Sequence, residues 1–251
     1  MSDSAIRRGL ALGAAAAGVL ALGLIAPGSA QAVPVSPAAP AVSCKVTSFS
    51  PATVVVGSAV VKKKFSIKTS GCKPGDWAVV LQPYTNDLSK MLKATNKAPT
   101  ITFSPKTFTD ADAGKGHLVS VGAVNASALS GPYFNLLRAA SWSGSFNATP
   151  EPVKKGKKLT VQATLKHVDW TQKTAKKMPF VTYAGPSVAV QFKAKGASSY
   201  KTVKTVKAGK GGKVSTTVTA SKSGTWRVRF GGNSTTGAAV SNGDAVTVTA
   251  P

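Results

Sequence analysis

Acidic side chains are the scarcest functional groups in this sequence. Of 251 residues only 8 are Asp or Glu, against 32 Lys and Arg. Beyond the first 32 residues the acids are Asp76, Asp87, Asp110, Asp112, Glu151, Asp169 and Asp244, too scattered to form a local carboxylate pair for acid–base work. Histidine is limited to His117 and His167, and neither shares a local motif with a Ser or Cys nucleophile. The G-x-S-x-G, H-E-x-x-H and P-loop patterns are missing as well. The chain is therefore expected to be non-catalytic and to need no cofactor. Asp110-Ala-Asp112-Ala-Gly114 has two carboxylates at calcium-loop spacing but lacks the third oxygen residue and the bidentate Glu. It reads as a turn, and no metal site is expected.

Cysteine is almost as rare. Cys44 and Cys72 cannot form a zinc site with two distant histidines. Their environment depends on the N-terminus. Arg7 and Arg8 precede an apolar run from Gly9 to Ala26, and Ala30-Gln31-Ala32 has the small-x-small pattern of a cleavage site. Residues 1–32 are therefore expected to be a signal peptide, with a membrane anchor as the other reading and the Sec or twin-arginine route left open. Export puts the cysteines in an oxidising compartment, where a Cys44–Cys72 disulfide is expected rather than two free or intermolecular thiols. No later segment is long and apolar enough to span a bilayer. The mature protein should be secreted, with association with the cell wall as a further option.

What the chain does have is strand periodicity. Leu159, Val161, Ala163 and Leu165 alternate with Lys158, Thr160, Gln162 and Thr164, the signature of a strand with one buried and one wet face. Pro150, Val153 and Gly156 precede it as P-x-x-V-x-x-G, and Pro51, Val54 and Gly57 repeat that skeleton. Proline suits an edge and glycine a turn, so the repeat predicts two domains of one architecture. The expected organisation is a Pro/Ala linker at 33–41, a first sandwich at 42–140 and a second at 141–251. The fold class is all-β, two antiparallel sandwiches in tandem. One helix is conceivable, over Asn86–Thr95, where Leu88, Met91 and Leu92 share a face; a long loop is the alternative.

The run Gly185-x-x-Val188-x-Val190-x-Phe192, then Tyr200-x-x-Val203, Gly212 and Gly224-Thr225-Trp226-Arg227-x-x-Phe230-x-Gly232, resembles the immunoglobulin-like modules of secreted actinobacterial proteins. The resemblance covers 141–250 well and the first half loosely. It implies an immunoglobulin-like sandwich used as a spacer, adhesion or binding domain, and it carries over no binding site. The cysteines depart from the antibody pattern, since they flank the opening strands instead of tying the two sheets together.

Charge supplies the functional expectation. Residues 140–251 hold 18 basic and 3 acidic side chains, whereas 42–139 hold 12 and 4. Lys154, Lys155, Lys157, Lys158, Lys176 and Lys177 are the candidate contacts for anionic cell-envelope or extracellular polymers, through counterion release. No sequence-specific nucleic-acid binding is expected. Lysine also recurs every third residue from Lys201 to Lys213, a spacing that alternates faces along a strand and cannot make one flat stripe. The alternative reading is a carbohydrate-binding loop at 167–183, with Trp170, Phe180 and Tyr183 as stacking aromatics. Trp77 and Trp226 read as core residues.

Overall fold

Proline divides each copy of P-x-x-V-x-x-G between two strands that belong to different sheets. In the computed structural model, which describes residues 45–71, 78–82, 92–95, 100–122 and 131–251, β1 (Lys45–Ser50) pairs antiparallel with β4 (Ser66–Ser70). After Pro51 the chain becomes β2 (Thr53–Val56), parallel to β9 (Tyr133–Arg138). The second half repeats this. There β10 (Ala140–Thr149) is antiparallel to β12 (Lys158–Val168), and after Pro150 β11 (Val153–Lys154) is parallel to β20 (Val248–Thr249). Proline donates no hydrogen bond and so ends one ladder where the next begins. Val54 and Val153 are buried. Gly156 turns the chain with φ of +80°, a conformation that a side chain would oppose.

The remaining strands follow one pairing order in both halves. In the first, β3 (Val61–Lys64) pairs with β7 (Thr100–Phe103), and a second sheet runs β2-β9-β8-β5-β6 through β5 (Ala78–Gln82), β6 (Leu92–Thr95) and β8 (Gly114–Gly122). In the second, β12 lies between β10 and both β13 (Phe180–Thr182) and β16 (Lys213–Thr219). The facing sheet is built from β15 (Lys201–Lys207), β14 (Ser187–Ala194) and β17 (Gly224–Phe230), with β18 (Ala239–Val240) and β19 (Asp244–Val246) also on β17. The fold is all-β, as expected, with sandwich-like layers. The helix reading of Asn86–Thr95 fails where it can be examined: Leu92–Thr95 is a strand on β5, because the sheet's backbone hydrogen bonds outweigh a short helical pattern. Residues 86–91, the expected linker at 33–41, the expected signal peptide at 1–32, Trp77, Cys44 and Cys72 lie outside the described residues.

Two hydrophobic cores result, and they divide the chain differently from the strands. Leu159, Val161, Val188, Val190, Trp226 and Phe230 fill the second. The first contains Phe49, Val54, Phe103, Phe108 and Leu136, but also Val168, Trp170 and Met178 from the second half. The segment between β12 and β13 thus crosses over to finish the first core, and Val42–Pro251 forms one compact unit.

Candidate functional site

The segment 167–183 is the joint between the halves. Trp170 is 0% exposed, its ring centroid 5.6 Å from that of Phe108, and its backbone N–H donates to Asp110 Oδ1 at 3.0 Å. The Val168 N–H donates to the Ala139 carbonyl at 2.9 Å and the Met178 N–H to that of Ser58 at 3.2 Å. Phe180 packs half-buried on the first core. Tyr183 belongs to the second core, edge-on to Phe230, with its hydroxyl accepting from Asn233 Nδ2 at 2.7 Å. The three aromatics of the alternative carbohydrate reading therefore form no common platform: Trp170 and Phe180 go to the first core and Tyr183 to the second, and the largest is sealed from solvent. Apolar area buried at the joint outweighs its exposure on a loop. His167 is buried and stacks edge-on to Tyr183, so it too is a packing residue.

Four of the described carboxylates are engaged in internal bonds. Asp112 accepts from the Thr109 N–H at 2.7 Å and the Thr109 hydroxyl at 2.8 Å. Asp110 accepts from Arg138 Nη1 at 2.6 Å as well as from Trp170. The pair with calcium-loop spacing is thus structural, as its turn composition suggests. Asp169 accepts from the Thr171 N–H and hydroxyl and from Gln172. Burial disfavours its ionisation, but these hydrogen bonds and the nearby His167 outweigh that and hold it below the usual carboxylate range. Asp244 accepts from the Ala148 N–H at 2.8 Å. Among the described residues no group of three or more His, Cys, Asp or Glu is placed to hold a metal ion.

The six lysines singled out from the sequence fall at opposite ends of the second half. Lys154, Lys155, Lys157 and Lys158 are exposed where β11 ends, turns and enters β12. Hydrogen bonds from Gly156 N to Ala220 O and from Lys195 N to Ser223 O gather the turns carrying Lys222 and Lys195 at this same far end. None of Lys154, Lys155, Lys157, Lys158, Lys195 and Lys222 forms an ion pair with a described carboxylate. Lys176 and Lys177 lie beyond the other end of β12, roughly 35 Å away at ~3.3 Å per residue. There they rim a cleft of about 270 Å³ with Lys106, over Val60, Pro105 and Met178.

The lysines of β15 are arranged by a bulge. Lys201 pairs with Phe192 and Lys204 with Val190, with a register shift at Val203, so both face the core side at an open edge. Lys207 pairs with Ser187 on the opposite side, so no single stripe forms. Inward-facing charge and a bulge are the means by which an edge strand avoids pairing with another chain.

A different group was not singled out by sequence. On the outer face of β14 and β17, Arg227 Nε donates to Gln191 Oε1 at 2.9 Å, and Gln191 Nε2 donates to the Thr202 hydroxyl at 3.3 Å. The Arg227 guanidinium lies 3.6 Å from the Tyr200 ring centroid, and Lys193 Nζ lies 5.3 Å from it. Alternation with Trp226, Val228 and Phe230 does put Arg227 and Arg229 on the outer face. Only the register reveals that Gln191 is opposite Arg227.

No protein-family profile matches the chain, and no curated protein matches it. Among solved structures, similarity is found to one described as a candidate superoxide reductase from Thermotoga maritima, at 19% identity and a TM-score of 0.29, covering 44% of this chain and 86% of that one. Among the described residues, no helix is long and apolar enough to cross a membrane.

Proposed function

We propose that the chain is an exported, non-catalytic binding protein of two immunoglobulin-like sandwiches that holds anionic envelope or extracellular polymers against its basic second half. The observation that carries this reading is the far end of that half, where Lys154, Lys155, Lys157, Lys158, Lys195 and Lys222 meet without an ion-pairing carboxylate among the described residues. Asp110, Asp112, Asp169 and Asp244 are occupied with the fold and no described carboxylate pairs with these lysines, so this end attracts polyanions by releasing their counterions. The joint made by Trp170 supports a fixed spacing between the halves, as suits a protein that works by contact. The signal segment and its actinobacterial style support the envelope setting.

The test is retention of the mature protein on purified cell wall, teichoic acid and polyphosphate across a salt series. Binding should weaken linearly in log K against log salt, and a Lys154/Lys155/Lys157/Lys158→Gln variant should reduce the slope by about one for each anion-binding lysine replaced. Salt-independent retention, or an unchanged slope in the variant, would refute the reading.

A further inference from the structure

We propose that the outer face of β14, β15 and β17 is a binding site for an acidic saccharide, in which Arg227 grips a sugar carboxylate and Tyr200 supports the ring. The inference rests on the polyanion reading above and names a preorganised surface for it.

Three observations carry it. First, Arg227 is held in place before any ligand arrives. Its Nε is spent on Gln191, whose amide is held in turn by Thr202, and its plane lies against Tyr200. Gln191 is only 7% exposed although it points outward, because the guanidinium and the ring cover it. Ordering a long side chain in advance removes an entropic cost of binding. Second, the two terminal nitrogens of Arg227 have no partner among the described residues, leaving the planar fork that matches a carboxylate in bidentate fashion. Third, Tyr200 is laid across the sheet by design of the backbone. A Cβ on Gly243 would sit 3.0 Å from the Tyr200 hydroxyl and 2.6 Å from Thr225 Cγ2, so glycine leaves the room that the ring needs.

The face around this group is cationic and hydroxylated. Lys193 and Arg229 flank Arg227 on the same side, and Thr202, Thr205 and Thr225 supply hydroxyls in the intervening rows. Asp244, the acid nearest in β19, pairs with Trp226 on the core side and is engaged by Ala148. A saccharide offers both a carboxylate and hydroxyls to such a surface. Single-stranded nucleic acid would need successive aromatic platforms, and Tyr200 is the one aromatic on this face among the described residues.

The experiment uses the mature full chain and titrates an oligogalacturonate, its methyl ester, polyphosphate and oligo-dT at physiological ionic strength. The acid oligomer should bind and the ester should not. Arg227→Lys, which keeps the charge but not the fork, should weaken oligogalacturonate roughly tenfold, about one charge-assisted hydrogen bond, while leaving polyphosphate retention unchanged. The Lys154/Lys155/Lys157/Lys158→Gln variant should do the reverse. In the parent protein, NMR signals of the Gln191 amide should shift on adding the acid oligomer, a readout that needs no variant. Equal binding of acid and ester, an unaltered affinity in Arg227→Lys, a silent Gln191 amide, or Arg227-dependent binding of oligo-dT in preference to the saccharide would each overturn the site while leaving the polyanion reading standing. Failure of every polyanion to bind would overturn both.

Discussion

Arg138 Nη1 and Asp110 Oδ2 lie 2.6 Å apart at the joint between the halves. Both residues also reach across it. Asp110 accepts from the Trp170 backbone N–H, while the Arg138 backbone donates to Thr235 O at 3.0 Å and accepts from Gly237 N at 2.8 Å. One ion pair therefore organises the contacts of both loops that the second half sends toward the first.

Replacing Asp110 with Ala should destabilise the protein by about 2 kcal/mol, since it strips a half-buried guanidinium and a backbone N–H of their acceptor. Asp110→Asn keeps an acceptor for Trp170 and should cost less. Denaturant unfolding of both variants, with Arg138→Gln added to complete a double-mutant cycle, measures the coupling; additive effects would show that the pair does not act as a unit.

Trp170→Ala should cost about 3 to 5 kcal/mol, the usual penalty for deleting a buried aromatic. The same argument predicts that residues 140–251, expressed alone, fold around Trp226 and Phe230 yet expose Val168, Trp170 and Met178. Such a fragment should self-associate and show tryptophan emission shifted to the red relative to the full chain. A monomeric fragment with unshifted emission would mean that the segment has another place to pack.

Glu151 is held above the ordinary carboxylate range by burial first, and then by the charge and hydrogen bond of Asp244. The folded state binds this proton more tightly than the unfolded chain, whose reference value is 4.5. Stability from this group is therefore complete below that value and is lost as pH rises through the folded pKa. Glu151→Gln should gain on the parent protein in Tm as pH rises from acid to neutral. A difference that stays constant across that range would remove the Asp244 interaction from the account.

Cys44 and Cys72 flank strands whose register pairs Lys45 with Ser70, one and two residues away in sequence. A disulfide between them, closing a loop of about 29 residues, should stabilise the first half by about 3.5 kcal/mol in the chain-entropy model. Intact-mass analysis of exported protein, before and after alkylation, should find no free thiol; two alkylated cysteines would refute the bond.

Much of this architecture is local and so was legible in residue order. Alternation in Lys158–Leu165 and Gly224–Phe230 assigns each side chain to a face, since a strand has only two. Pro51 and Pro150 mark the same interruption of pairing twice. The outward position of Arg227 was available from the same alternation. What residue order could not supply is which surface covers each face. Trp170 looked like a loop aromatic because its partner Phe108 and its acceptor Asp110 are about 60 residues earlier in the chain. The carboxylates of Asp110 and Asp112 suited a cation by spacing alone, until Arg138 and Thr109 took them up. Lys201 and Lys204 share a side only because the register slips at Val203, and Leu92 left a helical pattern for a strand because β5 offered it a ladder. Face is a property of neighbours along the chain, whereas burial and partnership are settled by contacts between distant segments. Those contacts turned the loop of the alternative sugar-binding reading into the joint between two hydrophobic cores, and brought Tyr200 across to Arg227.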